Sequence, residues 1–281
     1  MDEAVASNCE IASVFCLDIV GWSRESIDRQ AELLSRVWEA VRSSVVYKKA
    51  GSAEELILLP SGDGAAVVFP PDAVAAVRCA LDLSAVLQTH AKVRVGIHMG
   101  PVRRHLDIKD EITVVGGGIN VAQRVMDFGD AGHILLSSNI AEVLLELDEW
   151  RGSLQDLGTH EARHGIKVHI YNLYNNGLGN TEIPHKVCAH VKRNLREGIV
   201  ASFSLEEFEE LVADVEAQLQ IKYSDARLNV DILGGTGLPA RALKLIQYLD
   251  RRGQLGILVT CFRRVRPGAI SGCLELLNRC R

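Results

Sequence analysis

What first limits the fold of this chain is the order in which its apolar spacing changes between Ala12 and Gly100. Residues 12–19 (ASVFCLDI) form an apolar, β-type run that reaches Asp18 and meets Val20-Gly21-Trp22-Ser23, the pattern of a strand entering a tight turn that glycine permits. Residues 27–49 then place Ile27, Ala31, Leu34, Val37, Trp38, Val41 and Val45 at three- and four-residue spacing, which predicts one amphipathic helix. LILLP (56–60) and AAVVF (65–69) flank Gly62-Asp63-Gly64, which predicts a hairpin with a carboxylate at its tip. A second helix is expected over 72–90, after Pro70-Pro71. KVRVGIHMG (92–100) then alternates Val93, Val95, Ile97 and Met99 as a strand does.

Strand, helix, hairpin, helix, strand is the βαββαβ order of a ferredoxin-like α+β fold, an antiparallel sheet with two helices on one face. Beyond it the sequence predicts a strand at 112–116, a helix at 118–129, a strand at 133–137, a helix at 140–148 and a closing strand at 168–174. Asn175-Asn176-Gly177-Leu178-Gly179-Asn180 reads as the start of a linker spanning 177–202. Residues 203–281 have the pattern of a small all-α bundle. Ser204 with Glu207 marks a helix start running to about Leu219, Pro239 opens a helix to about Arg252, and another covers 255–266.

Charge narrows the partners. The net charge is −5, yet residues 182–281 hold 15 Lys and Arg against 12 Asp and Glu, which leaves the first part strongly acidic. Such a region does not bind nucleic-acid backbone in general, and any polyanion it holds needs a metal or a local nest of N–H groups. The basic residues Arg251, Arg252, Arg263, Arg264 and Arg266 form a candidate partner-facing cluster in the helical part, weighed against an ordinary solvated face. Seven cysteines lack Cys-x-x-Cys spacing, the start Met-Asp-Glu is not a basic leader, and no apolar run is membrane-length. Free thiols and a cytoplasmic location, with no membrane and no nucleic-acid partner, are the expectation.

Strands 1 and 3 of the ferredoxin-like order are neighbours, so Asp18 and Asp63 are expected side by side. Paired carboxylates that hold two Mg²⁺ or Mn²⁺ about 3.5–4 Å apart are a common platform for phosphoryl chemistry. The N–H groups of Gly21, Trp22 and Ser23 can turn toward a triphosphate at the start of the following helix.

LDIVGWS (17–23), SGDG (61–64), VGIHMGPV (95–102), ITVVGGGINVAQRVMD (112–127), GDAGHILLSS (129–138) and HGIKVHIYNLY (164–174) together resemble the class III adenylyl/guanylyl (nucleotidyl) cyclases. The resemblance covers residues 8–176. It implies that Asp18 and Asp63, with Ile19 in the same set, bind two metal ions. It also implies that Asn120 orients the ribose and Arg124 stabilises charge on the α-phosphate. Their four-residue spacing puts both on one helix face. Family members draw the aspartates and the Asn/Arg pair of one site from different chains, so a homodimer with composite sites is implied. Arg163 and Lys167, and less so Lys109, are candidates for a further phosphate-binding cation.

The base pocket departs from the family pattern. Leu59 stands where adenine-selective members carry Lys and guanine-selective ones Glu, while Thr113 fits the adenylyl pattern. Leu59 can neither donate nor accept, and an unmet base partner weakens discrimination by roughly 1–3 kcal/mol. ATP and a pyrimidine triphosphate, UTP or CTP as in bacterial anti-phage cyclases, both stay open. A diguanylate-type reading lacks its Gly-Gly-Asp/Glu-Glu-Phe hairpin. The 203–281 segment resembles a bacterial effector-associated, death-like domain that pairs with a like domain on another protein. The main alternative keeps the fold but makes the first domain a nucleotide-sensing dimerisation module.

Overall fold

A computed structural model of the chain describes residues 9–49, 56–223, 228, 233–269 and 274–280. The chain divides into two compact units, Met1–Pro184 and His185–Arg281. The first is a mixed α/β domain and the second is α-helical.

In the first unit the strands are β1 (Cys9–Ile19), β2 (Ile57–Ser61), β3 (Gly64–Phe69), β4 (Val93–Leu106), β5 (Ile112–Val115), β6 (Ile134–Ser137), β7 (Leu154–Glu161) and β8 (Lys167–Leu173). The helices are α1 (Ile27–Ser43), α2 (Val45–Lys49), α3 (Ala73–Leu87), α4 (Gly117–Met126) and α5 (Ser138–Leu145). One sheet holds the strands in the order β2-β3-β1-β4-β6-β8-β7, with β5 pairing on β4. β1 is therefore central and antiparallel to both β3 and β4, with Asp18 opposite Gly64 on one side and Arg94 on the other.

Alternation divides β1 between two cores. Phe15, Leu17 and Ile19 join the larger core, which α1, α3 and α5 cover through residues such as Val37, Ala80, Leu83 and Leu144. Ala12, Val14 and Cys16 join a smaller core with Ala66, Val68 and Val102, covered by Ala122 and Met126 of α4. Two glycines let α4 lie close. A Cβ at Gly96 would come within 2.3 Å of the Met126 nitrogen, and one at Gly100 would lie 3.3 Å from Gly118 Cα.

Three expectations about secondary structure change. Residues 27–49 are two helices, because Ser44 takes an extended backbone (ψ 145°) and its hydroxyl accepts from Tyr47 N–H. β7 was not foreseen. Its sequence LQDLGTHE is mostly polar, which suits an edge strand paired only with β8 and bulged between Asp156 and Gly158. The stretch expected to be a linker contains α6 (His185–Ser202), whose Val187, Val191, Leu195 and Ile199 are buried in the second unit.

The second unit continues with α7 (Leu205–Tyr223), α8 (Leu238–Asp250) and α9 (Leu255–Val265). The Ser204–Glu207 capping box forms as expected: Glu207 N–H donates to Ser204 Oγ at 3.2 Å, and Ser204 N–H to Glu207 Oε2 at 2.8 Å. The basic cluster is largely spent inside the unit. Arg263 pairs with Glu275, Arg264 with Asp214, and Arg266 with Glu207. The free-thiol expectation fails at one place, since Cys188 and Cys280 form a disulfide. Cys9, Cys16, Cys79 and Cys261 are free, and Cys273 lies outside the described residues. Among the described residues no helix is long and apolar enough to cross a membrane.

Candidate active site

β1 delivers Asp18 to the end of the sheet, and the β2–β3 turn delivers Asp63 beside it, with Ile19 N–H donating to the Asp63 carbonyl at 3.0 Å. The chain then reverses through Gly21, whose φ of +86° is a left-handed conformation that glycine adopts without strain. Trp22 to Arg24 form a single 3-10 turn, and α1 starts beyond it on a Ser26 N-cap. A cleft of about 340 Å³ results, lined by Asp18, Ile19, Gly21, Trp22, Ser23 and Asp63, together with Arg94, Gly129 and Asp130. A larger, more apolar hollow of about 550 Å³ lies between α2 and α3 and contains none of these residues.

Within the cleft the two carboxylates interact directly. Burial pushes the Asp18 carboxyl above its ordinary range, and the neighbouring Asp63 adds to that, while Arg94 acts against both. Arg94 forks onto one oxygen of Asp18, donating from Nε at 2.9 Å and from Nη2 at 2.6 Å to Oδ2. Its Nη2 also lies 3.7 Å from Asp127 Oδ1, and its Nη1 donates to the Gly129 carbonyl at 3.5 Å. Further along β4 on the same face, buried His98 places Nδ1 2.8 Å from Ser137 Oγ. Burial lowers its pKa to about 4, so the imidazole is neutral.

Asn120 and Arg124 stand elsewhere. α4 buries Gly118, Ala122, Val125 and Met126, which leaves Asn120 exposed and Arg124 half-buried on the outer side. Neither lines the cleft of its own chain. Arg163 is exposed in the β7–β8 turn and Lys167 at the start of β8, at the end of the sheet opposite Asp18, and Lys109 is on the β4–β5 hairpin. Leu59 is half-buried against the α4-side core, and Thr113 is half-buried on β5. The structure thus gathers Asp18, Ile19, Asp63, Gly21, Trp22 and Ser23, and leaves the remaining expected residues outside that cleft.

Sequence reasoning missed Arg94, Asp127 and Asp130. The alternation in KVRVGIHMG places Arg94 with Gly96 and His98 on the face away from Val93, Val95 and Ile97. That signal was available, but the β1–β4 register that sets Arg94 against Asp18 was not.

Residues 66–173 match the family described as the adenylate and guanylate cyclase catalytic domain. Residues 66–173 of the first unit thus carry the sequence pattern of that catalytic domain. The chain is similar in fold to the crystal structure of the guanylate cyclase domain of RhGC from Catenaria anguillulae in complex with GTP. The identity is 22%, covering 62% of this chain and 100% of that one, with a TM-score of 0.51. A Rhizobium meliloti (strain 1021) protein named "Putative adenylate cyclase 3" is 27% identical over 177 residues, 57% of this chain and 28% of its own. An uncharacterized Mycobacterium tuberculosis (strain H37Rv) protein is 34% identical over 91 residues, 31% of this chain and 29% of its own. The chain therefore spans under a third of the length of these curated relatives.

Proposed function

We propose that two copies of the chain form composite sites that convert a nucleoside triphosphate to a 3′,5′-cyclic nucleotide and pyrophosphate. The ribose 3′-oxygen attacks the α-phosphorus in line and gives up its proton to water. A new O–P bond forms, and the bond from the α-phosphorus to the bridging oxygen breaks as pyrophosphate leaves. The observation that carries this reading is the meeting of Asp18 and Asp63 in one cleft while Asn120 and Arg124 face outward from α4. One chain supplies half of the chemistry at each place, so the second copy completes it. Exposed apolar residues on the β4–β5 hairpin and its neighbour, Leu106, Ile108, Ile112 and Val115, support a second copy as the covering partner. The same reading takes β1 to β4 with α1 and α3 as the ferredoxin-like core.

The donor set suits hard divalent ions. Among the described residues no group of three or more His, Cys, Asp or Glu side chains is placed to hold a metal ion. Two carboxylates with the Ile19 backbone are nonetheless a fitting set, since Mg²⁺ is commonly held by one or two carboxylates, with water and substrate phosphates completing its shell. Asp18, Asp63 and Ile19 would hold Mg²⁺ or Mn²⁺, which supplies Lewis-acid activation of the 3′-hydroxyl and charge neutralisation on the phosphates. The Gly21–Ser23 turn lies where backbone N–H groups can meet the triphosphate. Arg124 supplies a fork for the non-bridging oxygens as charge builds, and Asn120 holds the ribose. Arg163, Lys167 and Lys109 stay secondary candidates for the outer phosphates.

Leu59 and Thr113 leave the base as ATP or a pyrimidine triphosphate, and the second unit is read as an adaptor of the effector-associated kind in bacterial signalling or defence. Leu59 is also the observation that favours the second reading, a nucleotide-sensing dimerisation module. Purified protein incubated with Mn²⁺ and each of ATP, GTP, CTP and UTP, with products identified by mass spectrometry, tests the proposal. A cyclic product that disappears in Asp63→Ala, with the fold intact by circular dichroism, is expected. No product from any of the four overturns the enzyme reading in favour of the sensor.

A further inference from the structure

One guanidinium in the first unit serves two structural elements at once. Arg94 Nε and Nη2 hold Asp18 Oδ2, while the same Nη2 faces Asp127 Oδ1 and Nη1 reaches the Gly129 carbonyl. Asp127 is the C-cap of α4, three residues beyond Arg124. Gly129 belongs to the turn that closes the helix, its N–H donating to the Met126 carbonyl at 2.9 Å. We propose that Arg94 is a positioning residue that couples ion occupancy at Asp18 to the last turn of α4. This rests on the reading that Asp18 and Asp63 hold divalent ions.

Of the two carboxylates, Asp18 is the nearer partner, at 2.6 Å against 3.7 Å for Asp127. A divalent cation on Asp18 competes for that carboxylate and repels a positive group a few ångströms away. The guanidinium yields without leaving the cleft, because Asp127 and the Gly129 carbonyl accept from the same planar fork. A lysine ammonium has no such fork and cannot span both sides. Two sets of acceptors for one cation make a two-state element that ion binding biases. The shift ties β4 more firmly to the end of α4, less than one helical turn from Arg124. In the dimer Asp18 serves one composite site and Arg124 the other, so the fork links the two sites.

The test uses the full chain with Mn²⁺ alone as the probe. Electron paramagnetic resonance counts bound Mn²⁺, and hydrogen–deuterium exchange is read over residues 124–129, with residues 238–250 of the second unit as an internal standard. Mn²⁺ is expected to slow exchange over 124–129 by about threefold or more, within the range that coupling of this kind produces. Asp127→Asn keeps the side-chain size, removes the charge, and is expected to bind Mn²⁺ while losing the response. Asp127→Glu should restore the response, whereas Arg94→Lys should bind Mn²⁺ and lack it. Bound Mn²⁺ with no change over 124–129, or a full response in Asp127→Asn, overturns the coupling and leaves the ion site standing. Wild-type binding no greater than that of Asp63→Asn overturns the ion-site reading and the coupling with it.

Discussion

On the face of the sheet covered by α1, α3 and α5, the inward residues of β1 are Phe15, Leu17 and Ile19, whereas on the face covered by α4 they are Ala12, Val14, Cys16 and then Asp18. The first face is filled with large side chains under several helices. The second is thinly covered, takes small residues near α4, and turns polar toward Arg94 and Asp18. Burying large apolar groups stabilises the fold, and leaving one face thin gives polar groups access to ligand and to a second chain. Stability and chemistry are thus separated between the two faces of one sheet.

That division can be broken by substitution. The largest effect is expected from the thick face, where Leu83→Ala should cost about 2–5 kcal/mol. Urea unfolding of the first unit measures it, and a cost below about 1 kcal/mol would deny that face its anchoring role. Arg124→Ala should do the opposite, with stability within about 0.5 kcal/mol of wild type but cyclic-nucleotide formation down about 10²–10³-fold. A comparable loss of stability would make Arg124 structural. Gly96→Ala tests how closely α4 must lie. Its new methyl would come within 2.3 Å of Met126 N and 2.4 Å of Ala122 O, both backbone atoms, and should cost about 1–3 kcal/mol. The smallest effect is pH-dependent. His98 is neutral when folded, with its pKa lowered by burial from 6.5 to about 4, so the unfolded chain takes up a proton first. Stability should fall as pH drops through that interval, and His98→Gln should flatten the fall. A slope unchanged in the variant would assign the acid sensitivity to other groups.

The elements of the first unit were legible because their periods are clean. KVRVGIHMG alternates, the 27–43 stretch keeps its helical spacing, and Gly62-Asp63-Gly64 can hardly be anything but a turn. Asp18 and Asp63 were legible as candidates from the predicted strand order, whereas Asn120 and Arg124 were candidates only through the family resemblance. β7 was not, because an edge strand buries little and its residues carry weak β preference. The helix over 185–202 was missed for a different reason. Its apolar face is real, with Val187, Val191, Leu195 and Ile199 at four-residue spacing, but it comes after a run of turn residues that masks its start. The pairing of Cys188 with Cys280 joins positions 92 residues apart, and no local pattern announces such a pair.

By itself the sequence determined which residues could bear charge or bind phosphate, and most of the segments that are strands or helices, because those properties depend on side-chain chemistry and short-range spacing. Only the tertiary structure decided which of those residues meet. Strand register set Arg94 against Asp18, close packing of α4 over Gly96 brought Asp127 to the same guanidinium, and helix orientation turned Asn120 and Arg124 away from their own chain's cleft. Register and packing are long-range outcomes of how two cores fill, and the composition of any one segment does not contain them.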